Sequence, residues 1–223
     1  MSTRRPQTAR HYVISILRSE ILDGRHGPGT RLRQEEIASR LGVSTTPVRE
    51  AFRDLLSEGL VGEDTHRGVV VRGLTLFDAR EVFAMRMALE PLLAVQALRN
   101  ATRTHLDEAE KIHKQLCSER DPEKWSALNV LFHDQLHSTA PPGRLATTVS
   151  SLGRAAGAYV NLSMHFLPKL MDANNRDHAE LLCAYREFDE LAAQSITRRH
   201  VEQTLRAIEE DTVLIGLAVE AQN

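Results

Sequence analysis

The chain has 223 residues, 42% hydrophobic and 26% charged, ordinary values for a folded protein that exclude a disordered one. Aromatics are only 4%, so the core has to be built from Leu, Ala, Val and Ile, which favours helices over a β-sandwich. The formal net charge of −2 hides an asymmetry: residues 1–73 hold twelve Arg, no Lys and nine acids, a formal +3, which leaves residues 74–223 at −5. A basic front on an acidic body fits a polyanion-binding module joined to something else. No apolar run approaches the ~20 residues of a membrane span. Arg4-Arg5 is not followed by an apolar stretch, so no export signal is expected. Cys117 and Cys183 then read as free thiols in a reducing cytoplasm.

In chain order, a first helix is expected over 8–23, where Ile14, Leu17, Ile21 and Leu22 recur at helical spacing and Gly24 can terminate it. Residues 24–29 read as a loop. A short helix follows over 34–41, with Leu32, Ile37, Ala38 and Leu41 as its apolar set and Gly42 at its end. Ser44 can cap a third helix that carries Pro47 in its first turn and Val48, Ala51, Phe52, Leu55 and Leu56 as a buried stripe, up to Gly59. The period then changes. Residues 60–62, 63–67 and 68–71 read as strand, turn and strand, which completes the order of a winged helix-turn-helix over 1–73. Gly73-Leu74 is a minimal linker and Thr75 a cap. Beyond it no strand pattern occurs. Helices are expected at 76–100, 104–118, 122–139, 144–166, 174–188 and 189–220, an all-helical second domain over 74–223.

The segment Leu41-Gly42-Val43-Ser44-Thr45-Thr46-Pro47-Val48-Arg49-Glu50-Ala51-Phe52 is the sharpest signal. It places small hydroxyls and one Arg on the first turns of a helix, the part a recognition helix offers to base edges in the major groove. Thr45 and Thr46 can donate to phosphate or touch a thymine methyl, and Arg49 can fork onto guanine O6 and N7. Arg33 and Gln34, at the start of the second helix, suit a phosphate clamp, and His66, Arg67 and Gly68 suit a wing-tip contact. The bland alternative for Arg49 is a surface ion pair with an acid such as Glu50. With Pro28-Gly29-Thr30-Arg31-Leu32 before it and Glu58-Gly59-Leu60-Val61 after it, the segment resembles the GntR family of bacterial repressors over residues 10–73. The family usually carries Arg where this chain has Thr45, which implies an altered operator preference.

Four further segments resemble the FCD domain, the ligand-binding part of the FadR subfamily of GntR regulators: Arg86-Met87-Ala88-Leu89-Glu90-Pro91, Asn129 with Phe132-His133, Asp177-His178-Ala179-Glu180-Leu181-Leu182, and Arg198-Arg199-His200-Val201. The resemblance implies that Asn129, His133, His178 and His200 are ligands of a divalent metal, zinc first, nickel or manganese otherwise. The chemistry is sound: Asn129 and His133 are i,i+4 on one helix face, and His178 and His200 come from two other helices. Most relatives carry Asp at the Asn129 position. A neutral carboxamide leaves the site more positive, which favours a small organic acid as effector. Arg86 is either a contact for that effector or the i,i+4 partner of Glu90. The resemblance also implies a cytoplasmic homodimer on a palindromic double-stranded operator, with no membrane partner.

Two other classes stand against this reading. His133-Asp134-Gln135-Leu136-His137 looks like a zinc-hydrolase motif with Asp for Glu, one methylene short for a general base. That enzyme needs His137 as a ligand and the sensor does not. The other class is a metal-free helical dimer that only joins two DNA-binding heads.

Overall fold

The computed structural model describes residues 8–22, 25–64, 68–72, 75–166 and 168–210, which fall into two compact units that divide between Leu74 and Thr75. The first runs α1 (Ala9–Leu22), β1 (Arg31–Arg33), α2 (Gln34–Leu41), α3 (Thr45–Ser57), β2 (Val61–Asp64) and β3 (Gly68–Val71). Val13, Leu17, Val48, Ala51, Leu55 and Leu60 are fully buried between its elements. Each such Val or Leu contributes about 1.5–3 kcal/mol of burial. Bidentate ion pairs hold α1 against its neighbours: Arg10 and Arg18 of α1 reach Asp54 and Glu58 at the end of α3, and Arg40 of α2 reaches Glu20. Gly42 ends α2 with φ 66°, a left-handed conformation that costs glycine nothing, and the chain turns straight into α3.

The strands form one antiparallel sheet in the order β1-β3-β2. Here the structure corrects three expectations. Leu32 is not in the apolar set of the second helix; it sits in β1 and pairs with Val69, so the loop before α2 supplies the sheet's third strand. Glu63 and Asp64 lie in β2 opposite Val69 and Gly68 and not in the turn. Ser44 takes the cap position of α3 in extended conformation but makes no side-chain cap bond.

The second unit is α4 (Leu76–Asn100), α5 (Arg103–Ser118), α6 (Pro122–His137), α7 (Arg144–Phe166), α8 (Pro168–Glu187) and α9 (Glu190–Glu210). Thr75 caps α4 by accepting from the Asp78 N–H, and Asp189 caps α9 by accepting from the Ala192 N–H. α4 and α9 run antiparallel, tied at one end by Arg80 to Glu209 and at the other by Arg99 to Glu190. Trp125, Phe132, Phe83 and Tyr185 fill the interior, with the Tyr185 hydroxyl donating to the Ala94 carbonyl at 3.0 Å. α6 stops at His137, two residues short of expectation, and α8 starts six residues early. α7 ends at Phe166 as expected, and Pro168 opens α8, because a proline in the first turn gives up an N–H that has no partner there anyway. Residues 211–220, expected to continue the last helix, lie outside the described residues. No described helix is long and apolar enough to cross a membrane.

Candidate functional site

Two groups of side chains are placed for chemistry, one in each unit. In the first, α3 buries Val48, Ala51, Phe52 and Leu55 and turns Thr45, Thr46 and Arg49 outward. Among the described residues Arg49 makes no ion pair or hydrogen bond, so the alternative pairing with Glu50 does not form and the guanidinium is available. Arg49 shares a groove with Gln34 from the start of α2, with Arg53, and with Glu63 and Gly68 from the wing. Arg53 is not among the residues the sequence singles out; its i,i+4 spacing from Arg49 carried the signal. Arg33 is exposed beside Glu36 at 3.6 Å. Gly68 is dictated by packing: a Cβ there would lie 2.5 Å from the Leu32 carbonyl oxygen, so only glycine lets β3 approach β1. His66 and Arg67 lie outside the described residues.

In the second unit, His133 of α6, His178 of α8 and His200 of α9 bring one ring nitrogen each within 4.8 Å of the others. His178 is completely buried and His200 nearly so. The His178 ring centroid is 5.0 Å from that of His133 and 5.0 Å from that of His200, and Phe132 packs on it at 4.4 Å. Burial, and then the neighbouring His200, hold the pKa of His133 and of His178 well below the usual imidazole value, so both rings are neutral at neutral pH. Neutral imidazole is the form that binds metal.

The hydrogen-bond inventory decides what this cluster fits. Nε2 of His133, both ring nitrogens of His178, Nδ1 of His200 and Oδ1 of Asn129 are buried with no hydrogen-bond partner. Each such group costs about 1–3 kcal/mol if left unpaired. Three imidazoles drawn from three helices could hold a divalent ion with room for further ligands, and Asn129 lies one turn before His133 on α6. His137 stands outside the cluster, its ring 6.2 Å from that of His133.

Arg86 is buried on α4 and pairs with Glu90 at 2.5 Å, the i,i+4 alternative named from the sequence. It still lies close enough to the histidines for its charge to help lower the His133 pKa. Three buried polar residues escape sequence reading. Asn174 and Thr197 keep unpartnered oxygens one turn before His178 and His200, and Asp177 faces His200. Helical spacing carried the first two, as it carried Asn129.

The match to the model of "Bacterial regulatory proteins, gntR family" covers residues 10–71, and the match to that of "FCD domain" covers residues 81–203. A "Probable D-xylose utilization operon transcriptional repressor" of Paenarthrobacter nicotinovorans is 29% identical over 217 residues, 96% of this chain and 95% of its own. The "HTH-type transcriptional repressor RspR" of Escherichia coli K12 is 26% identical over 91% of this chain and 90% of its own. Among solved structures, McbR/YncC of Escherichia coli superposes with a TM-score of 0.72 over 91% of this chain and 98% of its own, at 21% identity, a likeness of fold.

Proposed function

From a chain that belongs to the GntR family of bacterial transcription regulators, with an FCD domain over more than half its length, we propose a repressor whose hold on DNA is set by a small carboxylate bound at a metal site. Residues 1–73 read the operator. Thr45, Thr46 and Arg49 face the major groove, Arg33 and Gln34 clamp phosphate, and His66, Arg67 and Gly68 form the wing contact. One such head reads only a few base pairs, so the working species is a homodimer on a palindrome, joined through residues 74–223.

The observation that carries the effector half is the convergence of His133, His178 and His200, one ring nitrogen from each within 4.8 Å of the others, with Nε2 of His133 and both nitrogens of His178 buried and unpartnered; Asn129, one turn before His133 on α6, keeps an unpartnered Oδ1. A bound divalent ion, zinc first and nickel or manganese otherwise, supplies positive charge and open coordination positions. Asn129 adds an oxygen without adding negative charge, which leaves the site attractive to an anion, and Arg86 lies near enough to add its own charge once it shifts from Glu90. The family groups this chain with regulators, and its relatives are regulators rather than enzymes.

Selection of an operator from random duplexes, followed by titration with small carboxylates, tests the reading. Sugar acids and dicarboxylates belong in the panel. The active acid should release the operator and raise the melting temperature only when zinc is present. Protein that elutes metal-free, gains nothing from zinc and answers the effector equally in chelator would overturn the metal half of the proposal.

A further inference from the structure

Asp177 has no part in the donor set, yet it is 4% exposed and sits between the helices that carry two of the histidines. It immediately precedes His178 on α8. Its Oδ1 accepts from Arg199 twice, from Nε at 3.1 Å and from Nη2 at 2.6 Å. Arg199 immediately precedes His200 on α9, and its Nη2 also donates to Glu180 at 2.6 Å. The carboxylate is therefore held by one oxygen from the solvent side. The other oxygen, Oδ2, points inward. It lies 3.5 Å from Nδ1 of His200, and both atoms are buried with no hydrogen-bond partner.

We propose that Asp177 is the positioning residue of the histidine cluster: it accepts the Nδ1–H of His200 and so leaves Nε2 of that ring as the bare nitrogen turned to the ion. This rests on the metal reading above. Neutral imidazole carries one proton, and the nitrogen that finds an acceptor keeps it. Asp177 Oδ2 is an unpartnered acceptor 3.5 Å from Nδ1 of His200. The separation is about 0.6 Å longer than a good N–H···O bond, which a small turn of the ring closes. A carboxylate behind a ligating histidine fixes its tautomer and its orientation and raises its basicity. Arg199 and Glu180 extend the chain of contacts to the surface and keep Asp177 from turning away.

The test uses the full chain with zinc, and with cobalt as a spectroscopic stand-in. Asp177→Asn should weaken cobalt binding about 10–100-fold in competition with a chelator. Asp177→Glu should restore most of the loss. Arg199→Gln, at a half-exposed position, should weaken binding several-fold and serves as the second variant if Asp177→Asn folds poorly. In the zinc-loaded wild type, long-range proton–nitrogen spectra should show the His200 proton on Nδ1, with the signal assigned by its loss in His200→Gln. Zinc-loaded wild type with the proton on Nε2, or Asp177→Asn and Arg199→Gln binding cobalt as tightly as wild type, would overturn the role of Asp177 while leaving the metal reading intact. Wild type that takes up neither metal would overturn both.

Discussion

His178 is a residue the metal-free fold would be better without. Its ring is completely buried and both nitrogens lack a partner. An unpaired buried polar group costs about 1–3 kcal/mol. In His178→Leu the side chain has similar volume and keeps the packing on Phe132, so the chelated variant should gain that amount. A protein of this length gains about 2–4 °C for each kcal/mol, so the melting temperature should rise by roughly 2–12 °C. Zinc should reverse the order. At 100 to 1,000 times its dissociation constant it stabilises wild type by about 2.7–4.1 kcal/mol. The variant, with one donor gone, should lose most of that. Trp125, the only tryptophan, is fully buried and stacked 6.3 Å from His178, so its fluorescence reports this unit's melting. Acid supplies a second readout. The pKa of His178 in the folded chain is depressed below an unfolded value of about 6.5, so its neutral form is stable above that pH and costs stability as pH falls through and below it. Chelated wild type should therefore lose stability below about pH 6.5 more steeply than His178→Leu. A variant that melts lower than wild type in chelator at pH 7.5, or that gains as much from zinc, would refute the argument.

Arg49→Ala should cost at least about 1–3 kcal/mol of operator affinity, the worth of one bidentate base contact, with the helical circular dichroism unchanged. Normal binding in a gel-shift assay would remove α3 from the interface. Gly68→Val should force β3 off β1, since its Cβ meets the Leu32 carbonyl oxygen at 2.5 Å. DNA affinity should fall while the Trp125 transition stays in place; an unaltered affinity would mean that the wing does not touch DNA. Asn129→Asp should tighten zinc binding in a competition titration by adding a charged oxygen, whereas His137→Ala should leave it unchanged. Weakened zinc binding in His137→Ala would return His137 to the ligand set.

Most of the winged helix-turn-helix is legible from residues 41–52 and the period change after Gly59, because a helix and its caps are local. Thr75 and Asp189 need only the N–H groups three residues on to act as caps, so their function is written in a few positions. β1 is not legible, since three residues become a strand only when β3 lies beside them, and Leu32 alone cannot report Val69. The same division runs through the histidine cluster. The i,i+4 spacing of Asn129 and His133 lies within one helix and can be read from the chain. His178 and His200 are tied to that pair by family resemblance in the sequence and by distance only in the fold. The orientation of Asp177 between Arg199 and His200 depends on how α8 packs against α9. The sequence by itself determined which helices form, which faces are apolar and, α8 apart, where they start to within a residue or so, since those follow from neighbours within a turn. Only the tertiary structure decided that His137 stays out of the cluster, that Arg86 rests on Glu90, and which buried nitrogens are left without a partner, because those outcomes depend on side chains brought together from helices far apart in the chain.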